Sequence, residues 1–342
     1  MQKLRFVAFV LFFVIAASIV SATPRDWEKF PPYIEITGAA RVYAVGDIHG
    51  AFDQLSDTLG ALKVATRTAN DSFRFAWTGG NSILVFTGDF NDRGLHSKQT
   101  YDAIMDLQIQ AEKAGGRVVV TMGNHEAMLL NGQVEEWALT LESYKKQHYQ
   151  NTLDSFTRDG LDFHEAISEK GIYGRWIRNL PLFAVINGFM FVHGGVPNKP
   201  ITRSNLAADF KDDITVGDFK KGIFMNHDSV LWNRDWWKND ELVTENLKTL
   251  GIVGVVFGHT TGAMGPKGRI IAKDNRLVAL DIGMTPTYAY SNGGGLIIST
   301  AADDQLVFRA VYPDAPEELL FSVKMPASAY SQPTLIKARQ AR

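Results

Sequence analysis

Three times in the first half of this chain, a short apolar run ends in glycine followed by a residue able to bind a metal ion, and an amphipathic stretch comes next. Residues 41–45 lead into Gly46-Asp47-Ile48-His49-Gly50, and residues 82–87 into Gly88-Asp89-Phe90-Asn91-Asp92-Arg93-Gly94. Residues 117–122 lead into Gly123-Asn124-His125-Glu126. After the first, residues 52–64 place Phe52, Leu55, Leu59 and Leu62 on one helical face; after the second, residues 97–114 read as a helix closed by Gly115-Gly116. Strand, polar loop and helix in succession dictate parallel strands, which bring all three loops to one carboxyl edge of a sheet.

The second half reads differently. Residues 135–177 are helical in composition and polar, an insertion expected to pack beside the loops. Residues 182–186 and 189–193 flank Asn187-Gly188, a strong two-residue hairpin signal that delivers His193 at a strand end. Residues 252–257 end at Gly258-His259 in the same manner, and turns near residues 273–275 and 303–304 suggest hairpins of a second sheet. The expected fold class is α/β (α+β), with a central β-sandwich of two mixed sheets flanked by helices. Residues 23–325 are expected to form a single catalytic domain, with a poorly ordered tail over residues 326–342.

Composition removes several chemistries. There is no cysteine, so disulfides, thiolate metal sites and a cysteinyl-phosphate mechanism are excluded. The formal net charge of -2 gives no reason to expect nucleic acid as partner. Residues 1–22 have the layout of a secretory signal peptide: Lys3 and Arg5, an apolar run over 6–20, then Val20-Ser21-Ala22 as a cleavage pattern. The run is shorter than the ~20 residues a membrane-spanning helix needs, so no stable membrane insertion is expected after cleavage. The expected location is the periplasm or outside the cell.

With Val192-His193-Gly194-Gly195 and Gly258-His259, the ligand-bearing motifs number five. Their donors are oxygen and imidazole nitrogen, which suit a pair of divalent ions. Such an ion pair needs a bridging carboxylate and a hydroxide held for in-line attack on a phosphate ester. Asp89, on the middle strand, is the natural bridge; Asp47 and His49 join it on one ion, and Asn124, His193 and His259 complete the other. Asparagine, a neutral ligand, limits the negative charge that would repel an anionic substrate. His125 is the candidate general acid and Asp92 the carboxylate that orients it. Arg93 and Arg234 offer planar forks for phosphate oxygens. The tryptophans around Arg234 also allow core packing. Glu126 is read as a support or as a charge at a helix start, and His96, His148, His164 and His227 as solvated or structural.

At these residues the chain resembles the calcineurin-like metallophosphoesterases, and within them the phosphoprotein phosphatases, whose pattern is GDxHG, GDxVDRG, GNHE, HGG and GH. Asn91 replaces the valine of the second motif. That departure, with Leu231-Trp232-Asn233-Arg234 and Asp281-Ile282-Gly283-Met284, resembles the Shewanella-like branch, which includes a cold-active tyrosine phosphatase. The resemblance spans roughly residues 42–284 and implies the calcineurin-like fold. It also implies the metal ligands Asp47, His49, Asp89, Asn124, His193 and His259, a His125–Asp92 acid pair, and phosphate contacts from Arg93 and Arg234. Thr261 stands where other metallophosphoesterases carry a second histidine, an absence the phosphoprotein phosphatases share. The implied cofactors are two divalent ions among manganese, iron, zinc and magnesium, and the implied partner is a phosphorylated protein or peptide. A dinucleoside-polyphosphate hydrolase and a non-catalytic metal-stabilised binding protein are the competing readings. The intact Asp92-Arg93-Gly94 favours the phosphatase over the first, and the retained His125 and ligands favour it over the second.

Overall fold

The computed structural model describes residues 25–142, 144–285 and 291–325. The expected signal peptide and C-terminal tail lie outside the described residues. The chain begins with β1 (Tyr33–Ile36), β2 (Arg41–Val45) and α1 (Phe52–Ala61), then β3 (Ala65–Arg67), β4 (Phe75–Trp77), β5 (Ile83–Phe86), α2 (Ser97–Lys113) and β6 (Arg117–Val120). A helical stretch follows: α3 (Asn124–Leu130), α4 (Gln133–Thr140), α5 (Tyr144–Thr157), α6 (Phe163–Ile167) and α7 (Ile172–Arg178). Next come β7 (Phe183–Ile186), β8 (Phe189–Val192), α8 (Arg203–Val216), α9 (Asp240–Leu250) and β9 (Gly254–Phe257). The last strands are β10 (Ile271–Lys273), β11 (Leu277–Ala279), β12 (Gly295–Thr300), β13 (Gln305–Tyr312) and β14 (Ala315–Lys324).

Among the described residues these strands form two six-stranded sheets, in the orders β14-β13-β12-β2-β5-β6 and β1-β7-β8-β9-β11-β10, and a small β3-β4 pair. The β-sandwich of two mixed sheets is therefore the architecture, and Phe189 of β8 meets Phe308 of β13 between the layers at 4.7 Å. The register places the site. β2, β5 and β6 run parallel with Val45, Phe86 and Val120 abreast, so the loops after them leave the sheet side by side. In the other sheet β8 and β9 are parallel with Val192 opposite Phe257, so His193 and His259 emerge as neighbours.

Several local expectations are met by identifiable geometry. Asn187 and Gly188 have φ of 49° and 84°, the two left-handed residues that the tight turn between β7 and β8 requires. Helix α1 ends at Ala61 rather than continuing to residue 64, because Lys63 turns left-handed at φ 56°. One expectation is corrected: the two late hairpins do not share a sheet. The β10–β11 hairpin extends the sheet of β9, whereas β12 returns to pair antiparallel with β2, Leu296 opposite Ala44. Alternation of apolar residues says that a strand is half buried, but not which sheet edge it will join.

Candidate metal centre and active site

Each ligand loop leaves its strand by a sharp turn. His49, Asp89, Asp92, Arg93 and His259 all have positive φ, between 49° and 69°, although none is glycine. Such conformations cost roughly 1–3 kcal/mol each and persist only where the surroundings over-determine them. Hydrogen bonds supply that constraint. The amides of Ile48 and His49 donate to the Asp89 carbonyl at 3.0 and 2.9 Å, and Gly94 donates to the His49 carbonyl at 2.8 Å. Glu126 is a support: its buried carboxylate accepts the amides of Asp89 and Phe90, each at 2.8 Å, and Gly123 at 2.9 Å. Gly88, at φ 93°, lies so close to Gly123 that a Cβ there would collide with its backbone.

Five of the expected ligand residues gather around Asp89. Its Oδ2 is 3.5 Å from His49 Nε2, its Oδ1 is 3.2 Å from His193 Nε2, and Asp47 Oδ2 lies 3.9 Å from His49 Nε2. Asn124 Oδ1 is 2.8 Å and His259 Nδ1 3.2 Å from the same His193 nitrogen. Whether a metal belongs here is answered by the protons. His49 Nδ1 faces the Asn91 carbonyl at 2.8 Å, and a carbonyl can only accept, so that nitrogen carries the ring proton. Nε2 therefore presents a lone pair, and it is buried with no hydrogen-bond partner. By the same reasoning His193 Nδ1 donates to the Thr87 carbonyl at 2.8 Å and His259 Nε2 to the Trp232 carbonyl at 3.0 Å. Lone pairs of the two rings thus point at one another. A proton or a cation must lie between them.

The electrostatics favour positive charge at this point. Burial alone would lower the pKa of His193, but the carboxylates of Asp89 and Asp47 outweigh it and raise the value to about 9. Burial, then the Arg93 charge, holds His49 well below the ordinary histidine range, and burial, then His193, does so for His259. Those two rings are neutral, as ligands must be. Burial, then the neighbouring Asp281, pushes Asp47 well up, a crowding of carboxylates that positive charge relieves. The donors of Asp89, His49 and His125, and those of Asp89, His193 and His259, form two groups each able to hold an ion. Asp89 belongs to both. The donors present fit divalent cations, with Asp89 shared between the two groups; of the remaining expected ligands, Asp47 Oδ2 stands 3.9 Å from His49 Nε2 and Asn124 Oδ1 2.8 Å from His193 Nε2, at the margins of these groups.

Beside this cluster, His125 Nδ1 meets Asp92 Oδ2 at 2.5 Å, and its Nε2 faces Asp89 Oδ2 at 3.8 Å. Nδ1 is engaged, so Nε2 is the nitrogen directed at the site. Arg93 is half-buried in the next position, and its charge is felt at His49 and Asp281. Arg234 is exposed at the rim, where Nη1 donates to the His259 carbonyl at 3.1 Å and to the Thr260 hydroxyl at 3.2 Å. The neighbouring tryptophans are core and support: buried Trp236 donates to the Gly194 carbonyl at 2.9 Å, and Trp237 stacks on Phe257. Of the other histidines, His96 packs on Phe73, His164 pairs with Glu135 and His227 contacts Trp232.

Several contributors were not legible in the sequence. Asn91 is one: its carbonyl fixes His49, and its Oδ1 accepts the Tyr101 hydroxyl at 2.7 Å. The carbonyls of Thr87 and Trp232 are others, and backbone atoms carry no residue-type signal. Asp281 is buried and accepts from Thr261 at 2.7 Å and from the Gly283 amide at 3.0 Å, so the threonine at the place of a second histidine serves a carboxylate. Asn151 and Thr152 of α5 contact the Arg93 carbonyl and the Asp92 carboxylate.

A short His–Asp pair beside two overlapping groups of donors that could each hold an ion thus lies at the carboxyl edges of the β-sandwich. Residues 40–262 match the calcineurin-like phosphoesterases, and the chain belongs to that family. It is 26% identical over 230 residues to Shewanella-like protein phosphatase 1 of Plasmodium berghei, covering 65% of this chain and 59% of that protein. It is 25% identical over 288 residues to Shewanella-like protein phosphatase 2 of Arabidopsis thaliana, covering 72% of this chain and 71% of that one. The fold is also that of the cold-active protein-tyrosine phosphatase of a psychrophilic Shewanella species. That structure aligns with a TM-score of 0.65 and 21% identity over 87% of this chain and 85% of its own.

Proposed function

We propose that this protein is a metal-dependent phosphoprotein phosphatase that hydrolyses phosphomonoesters, phosphotyrosine at least as readily as phosphoserine or phosphothreonine. The observation that carries the reading is the His125–Asp92 pair, with His125 Nε2 directed at the same Asp89 carboxylate that the two donor groups share. Divalent ions held by Asp47, His49, Asp89, Asn124, His193 and His259 would supply positive charge to the phosphoryl oxygens and a water of lowered pKa. The chain's own residues do the rest. Arg93, whose charge is felt at His49 and Asp281, and Arg234, bonded to the His259 carbonyl, bind and orient the non-bridging phosphate oxygens. His125 hands a proton from Nε2 to the departing alcohol or phenol oxygen, and Asp92 fixes the ring and stabilises its charged form. The named protein phosphatase relatives support a protein substrate, and the tyrosine phosphatase with the same fold supports phosphotyrosine.

The deciding experiment compares turnover of a phosphotyrosine peptide, a phosphoserine peptide and diadenosine tetraphosphate with added manganese. Preference for the dinucleotide would replace this reading with that of a dinucleoside-polyphosphate hydrolase. No turnover of any of the three, with two ions bound, would leave a metal-stabilised binding protein. The same proposal places the protein in the periplasm or outside the cell, on the layout of residues 1–22. Mass spectrometry of exported protein should find a mature terminus near Thr23, and an intact Met1 would contradict it.

A further inference from the structure

Asp92 and Arg93 are consecutive non-glycine residues at φ 69° and 67°, and one remote helix supplies hydrogen-bond partners to both. The Asp92 amide donates to Thr152 Oγ1 at 2.8 Å, and that hydroxyl donates its proton to Asp92 Oδ1 at 2.8 Å. The Arg93 amide donates to the His148 carbonyl at 2.8 Å, and Asn151 Nδ2 donates to the Arg93 carbonyl at 2.9 Å. All these partners lie within residues 148–152 of α5. A hydroxyl has one proton, and a helical threonine ordinarily gives it to the carbonyl four residues back. Here it goes to the carboxylate instead. With Oδ1 taken by Thr152, Oδ2 is left for His125 Nδ1, so the plane of the carboxylate and the aim of the imidazole are set together.

We propose that α5 is the positioning element of the acid and arginine loop: Thr152 orients Asp92, and through it His125, while Asn151 and the His148 carbonyl hold Arg93 toward the phosphate. The inference rests on the phosphatase reading and on His125 as the proton donor. It assigns the helical insertion a part in the chemistry that packing alone would not give it.

The test uses the metal-loaded enzyme and two aryl esters, phenyl phosphate with a poor leaving group and dinitrophenyl phosphate with a good one. Thr152→Val removes the hydroxyl at nearly constant shape. Its kcat for phenyl phosphate should fall by about 10- to 100-fold, the scale of one lost hydrogen bond to a charged group. The loss for the dinitrophenyl ester should be much smaller, metal content should not change, and Thr152→Ser should restore the rate. Asn151→Ala should raise KM and weaken inhibition by inorganic phosphate with the leaving-group dependence unaltered. Thr157→Ala is the control: on the same helix its exposed hydroxyl donates to the Leu153 carbonyl at 3.2 Å rather than to Asp92 or Arg93, so it should leave the kinetics unchanged. Thr152→Val with wild-type kinetics, or with equal losses on both esters and a lowered melting temperature, overturns the inference. His125→Ala separates the two levels. If it shows leaving-group dependence and Thr152→Val does not, only the positioning role falls; if His125→Ala shows none, the acid role and this inference fall together.

Discussion

His193 Nε2 and His259 Nδ1 face each other at 3.2 Å, and the other nitrogen of each ring already donates to a backbone carbonyl, of Thr87 and Trp232 respectively. Once the proton that the neighbouring carboxylates favour on His193 is displaced, the rings so fixed present two lone pairs to one point, with Asn124 Oδ1 and Asp89 Oδ1 turned to the same place. Four acceptors around a common centre are mutually unfavourable until positive charge joins them. Folding therefore builds a site that stores unfavourable electrostatics for release on metal binding.

The first expected consequence is thermal. Chelation should lower the melting temperature and manganese should restore it, because an ion that binds only the folded chain stabilises it by ~2.7 kcal/mol at 100-fold excess over its Kd. In a domain of this size that is a shift of about 5 °C or more. Identical melting curves with chelator and with manganese would remove the metal assignment.

Asp89→Asn should reduce bound metal and activity together. The side chain is buried and is the one member common to both donor groups found among the described residues. The fold should survive, since the Asp89 amide still donates to Glu126 and asparagine still offers an acceptor to the His125 amide. Metal analysis and circular dichroism check both halves of the statement; full activity with two ions bound would sink it.

His125→Ala should separate chemistry from metal binding. Loss of a general acid costs about 10²–10⁴-fold in kcat, while the ligands of both donor groups other than His125 stay in place. The deficit should shrink for a nitrophenyl ester, whose leaving group needs little protonation. Because His125 also lies within reach of the His49 and Asp89 donors, metal content is measured alongside; loss of an ion would recast this residue as a ligand.

Arg93→Ala and Arg234→Ala should raise KM and lower kcat with metal content unchanged, and inorganic phosphate should inhibit each variant less. Lysine at either position should recover little, since a point charge cannot make two parallel hydrogen bonds. Arg234 already uses Nη1 on His259 and Thr260, which leaves the remaining donors of its fork for phosphate. Wild-type kinetics for Arg234→Ala would confine that arginine to bracing the His259 loop.

Much of this protein is written locally. A strand that ends in Gly-Asp or Gly-Asn throws its next side chains over the sheet edge whatever else the chain does, so Asp47, His49, Asp89, Asn124 and His125 could be placed from the sequence, as could the hairpin at Asn187-Gly188. The same local logic recovered β2, β5 and β6 and the order of the ligand loops. Other features depend on contacts between segments far apart in the chain. Which ring nitrogen of His49, His193 and His259 keeps its proton and which helix steadies Asp92 are decided by a backbone carbonyl or a hydroxyl arriving from 27 to 106 residues away, and which sheet receives β12 by its pairing with β2 from the far end of the chain. Such partners have no periodicity and, for carbonyls, no residue identity. The sequence determined the chemical types in the site and the strand ends that carry them; only the packed tertiary structure decided their orientation, because a lone pair is aimed by whatever holds the opposite side of the ring.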